Sequence, residues 1–454
     1  MLPWFGIGTL LVLLSRFEVI RYITSVPLRP AMRILFTFEN PLPNEQADAE
    51  VFVATARHLA PLAAGASLHV PAAGDSGRAA AAALARMPAI RAWAPTRPAA
   101  LRHFLCGLTL PLRSEFRAAD LVYTRNLWVA WLAVRFGQRV VFDHYRPWPD
   151  QIPPLQPWIY RLLCHRRLVV HICHSEYTRR RYLDLGVPPS KLSCVHNGFD
   201  PARLAALIPI ETAKAQIGIG KDTKTVVYTG RINHKKGLEI VLEAARRLPD
   251  LEFILVGASG DGPIQAAASG IANVRIVPWQ PPEALAQYLY AADVLLIPPS
   301  RQPLAAFGST VLPLKVFVYL AAGRPIVAGD MPDLREVLRH GENALLCRPD
   351  SPAALADAIR VIIRDAALAQ RLAATALADS AELTWSRRAD RIAAIIAARL
   401  PSRAADPGGW SRKQLRGWIS ESCRWVAHLV RHGSWVLPPR SAAAAPPLAP
   451  AEHD

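Results

Sequence analysis

Cysteine is scarce and scattered here: Cys106, Cys164, Cys173, Cys194, Cys347 and Cys423 form no CxxC pair. That spacing argues against a disulfide framework or a structural zinc site, and it points to the reducing cytoplasm. Long apolar runs are missing too. Leu2 to Leu14 is nearly all apolar, but it is shorter than a membrane span and carries no Lys or Arg, so it does not read as a signal peptide. Residues 1–31 therefore form an apolar extension, read either as a membrane-touching anchor or as sequence upstream of a start at Met32, with the second preferred. Acidic residues are few, 36 against 53 Lys and Arg, for a formal net charge of +17. The densest basic patches are Arg166-Arg167 and Arg179-Arg180-Arg181. With no zinc-finger spacing, RNA-binding module or Lys-rich tail, nucleic acid is disfavoured. An anionic small substrate or an anionic membrane surface suits the charge better.

At 454 residues, the chain is long enough for two large domains. Short Val/Ile runs alternate with Ala- and Leu-rich stretches, which favours α/β. In the first half, Arg33 to Phe38, Leu121 to Thr124, Val140 to Asp143 and Leu168 to Cys173 read as buried parallel strands, and Ser175 reads as a helix cap. In the second half, strands over Thr225–Gly230, Glu252–Gly257, Val294–Ile297 and Pro325–Ala328 alternate with helices. That recurrence predicts doubly wound parallel sheets, with ligands at the carboxyl ends of their strands. The expected organisation is a domain over 32–205, a linker over 206–222, a second domain over 223–380, a further segment over 381–400, and a tail over 401–454. The tail holds a linker, a possible amphipathic helix over Trp410–Trp435 and an Ala/Pro-rich end.

The stretch from Gly230 to Gly237, between a strand and a helix, carries the most chemistry. Gly230 lets the chain leave the strand tightly, and Gly237 permits close approach at the helix start. Free N–H groups there favour an anion. Arg231 and Lys236 are placed to clamp its oxygens, one as a planar fork and the other as a mobile point charge. A basic surface loop is the equal alternative.

Several segments resemble, in order, the large retaining glycosyltransferase family called group 1, or family 4-like. They are Gly230-Arg231 with Lys236-Gly237; the turn His196-Asn197-Gly198-Phe199-Asp200; Ala292 to Ser300; Lys315 to Ala328; and Trp385-Ser386 before Arg387. The resemblance covers residues 33–398 and implies the GT-B fold, two Rossmann-like domains facing across a cleft, with a crossover helix over 381–400 returning to the first. It also implies transfer of a sugar from a nucleoside diphosphate sugar to a hydroxyl acceptor, a saccharide or lipid-linked intermediate, in cell-surface polysaccharide or glycolipid assembly. No cofactor or required metal is implied, and no DxD cluster is present. Peripheral contact at the cytoplasmic face of a membrane fits the basic charge.

By the same resemblance, the donor site gathers Gly230, Gly237, Leu314 and Lys315, with Phe307-Gly308 near the donor sugar and Trp279 as a stacking candidate for the nucleobase. His144 is placed toward the reacting centre, a surface His beside a capping Asp143 being the alternative, with Arg231 and Lys236 as the other catalytic groups. Asn44 and Glu45 lie on the acceptor side. Two departures stand out. The family's two donor-site glutamates, eight positions apart, are Thr310 and Val318 here, and valine cannot accept bonds from ribose hydroxyls. The paired glycines usual in the loop after the first strand are also absent. Val318 keeps open an alternative, a catalytically weak or inactive GT-B sugar-nucleotide-binding or protein-interaction module.

Overall fold

The computed structural model describes residues 32–400 and 412–432, apart from 45, 73, 95–98, 205–206 and 302–311. Two parallel sheets organise it. The first is built from β1 (Arg33–Thr37), β2 (Gly65–Val70), β3 (Ala89–Arg91), β4 (Leu121–Thr124), β5 (Val140–Asp143), β6 (Leu168–Cys173) and β7 (Leu192–Cys194). Its order is β3-β2-β1-β4-β5-β6-β7. Central β1 pairs with β2 at Ile34↔Ala66 and with β4 at Leu35↔Val122. Strands such as β4, β5 and β6 are buried along their whole length, which is why they read as continuous apolar runs rather than alternating ones.

The second sheet uses β8 (Thr225–Thr229), β9 (Glu252–Ala258), β10 (Val274–Pro278), β11 (Val294–Ile297), β12 (Ile326–Gly329) and β13 (Leu345–Cys347). Their order is β10-β9-β8-β11-β12-β13. Each sheet reverses its winding direction once, between β1 and β4 and between β8 and β11. In open α/β sheets such switch points are where ligands bind.

Among the helices, those that bear on function are α1 (Ala47–Leu59), α2 (Ala99–Thr109), α3 (Leu127–Arg135), α4 (Glu176–Asp184), α5 (Leu238–Arg246), α6 (Lys315–Ala321), α7 (Trp385–Arg399) and α8 (Arg412–His432). Ser175 caps α4, its Oγ accepting from the Thr178 N–H at 3.2 Å. None of the helices among the described residues is long and apolar enough to cross a membrane.

The chain divides into two compact units. One takes the chain up to Asp143, His165–His171 and the segment from Arg388; the other takes His144–Cys164, Ile172–Arg387 and α8. Within the second unit, Phe199 donates its N–H to Leu383 O and accepts from Trp385 N–H, at 3.1 and 3.2 Å. This bridge passes so close to Gly198 that a β-carbon there would sit 2.6 Å from the Thr384 carbonyl carbon. That close approach explains the glycine.

Candidate functional site

The switch point of the second sheet is crowded with glycine. Gly230 leaves β8 at φ +132°, and a β-carbon on it would lie 2.8 Å from Lys315 Nζ. Gly257 backs onto it so closely that a β-carbon would meet Gly230 O at 2.4 Å. The bare backbone at Gly230 makes room for Lys315, whose ammonium sits 3.6 Å over the Tyr228 ring centroid, a cation–π contact. Tyr228 in turn donates its O–H to Arg231 O at 3.0 Å. The Tyr319 hydroxyl accepts from Thr229 N–H at 2.7 Å and ties the end of β8 to α6.

After β8 the chain makes a 3₁₀ turn, His234–Lys236, and enters α5 through Gly237, which is left-handed at φ +67°. A β-carbon there would lie 2.0 Å from Ser300 Cβ, so the loops after β8 and β11 meet at this glycine. The cap residue of α5 is a glycine with no side chain to bond its first N–H groups, and a helix start of that kind suits an anion.

Around this helix start, Arg231, Lys236 and Lys315 converge. Burial and the Arg231 charge hold the Lys236 ammonium below its ordinary value, although Lys236 remains solvent-accessible. Burial, with the charge of Lys236, holds Lys315 well below its own. Among the described residues, no carboxylate forms an ion pair with any of the three. Three like charges gathered beside an uncapped helix make a site for a polyanion.

The other expected donor residues are placed as follows. Leu314 is half-buried at the start of α6. Val318 is half-buried on the same helix and packs against the apolar cluster of the second sheet, so it offers no polar atom where the family pattern has a carboxylate. Trp279 follows β10 with its N–H on Ala258 O at 2.9 Å, and it is 59% exposed, leaving its ring face open. Phe307, Gly308 and Thr310 lie outside the described residues, as does Glu45 on the acceptor side.

His144 is buried at 6% exposure rather than on the surface. Its ring stacks between Tyr145 and Trp148, centroids 5.0 and 5.1 Å away. Nδ1 accepts the Arg146 N–H at 3.0 Å, which leaves the proton of the neutral ring on Nε2. The preceding Asp143 is no surface cap. It is fully buried and accepts from Tyr123 O–H and from Arg388 Nη2, the latter at 3.1 Å. Asn44 serves its own loop, donating to Pro41 O at 2.7 Å and accepting from Gln46 N–H at 3.0 Å.

Sequence reasoning passed over two groups. Glu39 stands at the carboxyl end of β1, at the switch point of the first sheet. One of its carboxylate oxygens is buried without a hydrogen bond, and burial pushes its pKa up to about 7 despite the Arg125 and Arg102 charges. Nothing in a lone Glu after a strand signals this, because Arg102, Asp48 and Arg125 come from elsewhere in the chain. The second group is Cys194, His196 and Glu336, whose potential ligand atoms lie within 4.8 Å of one another. Glu336 is already engaged. It accepts the Glu176 and Tyr177 N–H groups at 2.7 and 3.0 Å, and His196 Nε2 lies 2.8 Å away. It thus closes the N-terminus of α4.

The model of the family described as Glycosyl transferases group 1 matches residues 223–365, and that described as Glycosyltransferase Family 4 matches residues 49–203. The chain belongs to the group 1, family 4-like glycosyltransferases. Among curated proteins similar to this chain, D-inositol 3-phosphate glycosyltransferase 1 of Catenulispora acidiphila is 30% identical, over 50% of this chain and 55% of its own length. Phosphatidyl-myo-inositol mannosyltransferase of Mycobacterium leprae is 26% identical, over 52% of this chain and 60% of its own. The chain thus matches the first of these over little more than half its length. Among solved structures, Anabaena HepE in complex with UDP-glucose superposes with a TM-score of 0.63 at 18% identity, covering 81% of this chain and 100% of that one. Sucrose-phosphate synthase of Thermosynechococcus elongatus gives 0.63 at 18%, covering 82% and 99%. These likenesses establish the GT-B fold for this chain.

Proposed function

We propose that this glycosyltransferase moves a sugar from a nucleoside diphosphate sugar to a hydroxyl acceptor, with retention at the anomeric carbon. The observation that carries the reading is the convergence of Arg231, Lys236 and Lys315 on the uncapped start of α5, with no ion-paired carboxylate among the described residues. Fixed positive charge there stabilises the diphosphate as it departs, the point in such a reaction where preorganised electrostatics acts most. Gly230 and Gly237 admit the phosphates to the backbone, Trp279 offers a face for the base, and His144 serves the sugar or acceptor. No metal is assigned to the step. Residues 32–205 serve as the acceptor domain and 223–380 as the donor domain. The acceptor is a saccharide or a lipid-linked intermediate handled at the cytoplasmic face of a membrane. The two curated relatives, named for inositol phosphate and phosphatidylinositol, supply the first members of an acceptor panel.

The test is titration of UDP, GDP and ADP by calorimetry, followed by transfer assays with the matching sugar nucleotides. Arg231→Ala and Lys236→Ala are each expected to cost about 10- to 100-fold in transfer, as for removal of a charge-assisted hydrogen bond, with circular dichroism unchanged. Wild-type turnover in both variants would remove the assignment.

Val318 supports a second reading, a fold that binds a sugar nucleotide with little or no turnover. In a closed site an unmet ribose hydroxyl costs about 1–3 kcal/mol. Nucleotide binding without donor hydrolysis or transfer across the acceptor panel would select it.

A further inference from the structure

Helix α2 is inside out. Its one charged side chain, Arg102, is buried, donating Nε–H to Glu39 O at 2.8 Å and Nη2–H to Asn40 Oδ1 at 2.7 Å. Cys106 and Gly107 face inward with it. Gly107 lets the backbone of α3 come so near that a β-carbon would lie 3.0 Å from the Trp128 carbonyl carbon. Leu101, Phe104 and Leu108, at helical spacing on one face, instead point to solvent at 45, 37 and 46% exposure. Trp128 of α3 joins them, 46% exposed and edge-on to Phe104 at 5.4 Å, and Leu112 extends the patch at 64% exposure. A soluble surface helix shows the opposite pattern, and a contiguous apolar patch of this kind marks an interaction site.

Its surroundings say what the partner is. Between residues 89 and 139 there are eight arginines and two acidic residues. Of these, Arg102 and Arg125 are buried, while Arg91, Arg117, Arg135 and Arg139 are exposed on the segments that flank α2 and α3 in the chain, and Arg113, next to Leu112, lies 4.0 Å over the Trp93 ring, itself half-exposed. Apolar and aromatic groups within an arginine rim match the two layers of an anionic lipid surface, acyl chains below and phosphates above. From this placement we propose that the outer face of α2 and α3 docks on an anionic bilayer. The proposal rests on the membrane-face part of the functional reading and gives that contact an address.

The experiment is flotation of the full chain with phosphatidylcholine vesicles, with and without phosphatidylglycerol, in the absence of sugar nucleotide. The wild type is expected to float with the anionic vesicles and to be released by salt. The triple variant Leu101→Ser, Phe104→Ser, Leu108→Ser should lower partitioning roughly 100-fold. The pair Arg113→Glu, Arg117→Glu should lower it roughly 10-fold or more. Both variants should keep the wild-type circular dichroism and nucleotide affinity. Absence of wild-type flotation, or wild-type flotation by the triple variant, overturns the proposal. So does a wild-type dimer in sedimentation velocity that the triple variant dissolves without any vesicle binding, since the patch then covers a second copy. Partitioning is read without donor or turnover, so its failure leaves the transfer reading standing, and failed transfer leaves the docking surface standing.

Discussion

At the scale of single residues, Lys236 and Lys315 are the informative pair. Both have proton affinities lowered first by burial and then by a neighbouring positive charge. A diphosphate placed between them reverses that second effect and raises both pKa values. The nucleotide-bound state therefore holds protons more tightly than the free state. Their contribution to affinity is complete below the free-state pKa values and is lost as pH rises through the bound-state values. The expected outcome is proton uptake on UDP binding at alkaline pH, absent at acidic pH, read by calorimetry in buffers of different ionisation enthalpy. Affinity should fall on the alkaline side by on the order of tenfold for each charge-assisted hydrogen bond that deprotonation removes. Lys315→Arg, whose guanidinium stays charged, should flatten that alkaline limb. A pH-independent affinity for the wild type would mean that these lysines do not face the phosphates.

At the scale of elements, the strand–turn–helix from β8 to α5 works because two loops share one space. Gly237 combines a left-handed φ of +67° with a would-be β-carbon 2.0 Å from Ser300 Cβ, so alanine there meets both backbone strain and a hard clash. Gly237→Ala is expected to cost about 1–3 kcal/mol of stability from the backbone alone and to depress nucleotide affinity. Gly270, with nothing near its would-be β-carbon, is the control, and Gly270→Ala should leave both unchanged. Urea unfolding and UDP titration of the two variants check the pair. This element was legible in the sequence because its signal is local: an apolar run, a glycine, basic residues, a second glycine and an amphipathic helix. The other site groups were less legible. Glu39 acquires its raised proton affinity only when α1, α2 and the end of β4 close around it. The buried Asp143 finds its guanidinium 245 positions away. Neither distance nor burial is written in a short motif. The outward face of α2 was illegible for another reason, since apolar residues at helical spacing look the same whichever way the helix is turned.

For the molecule as a whole, α7 brings the chain back to its first unit. Within α7, Arg388 belongs to that unit and is almost fully buried at 2% exposure. Its Nη2 lies 3.1 Å from both oxygens of Asp143. Asp143 also takes the Tyr123 O–H, and that hydroxyl's pKa is driven far up by burial and by the carboxylate beside it. Desolvating two charges costs nearly what their attraction returns, so the pair as a unit contributes little, while removing one partner strands the other. Arg388→Ala is therefore expected to destabilise by about 3–5 kcal/mol, read by urea unfolding of the full chain. Combining Asp143→Asn with Arg388→Met should recover most of that loss, because the double variant leaves neither charge buried. If Arg388→Ala unfolds at the wild-type urea concentration, the ion pair does not hold α7 in place, and the return of the chain to its first unit rests on the apolar face of the helix, Ala389, Ile392, Ala393 and Ile396.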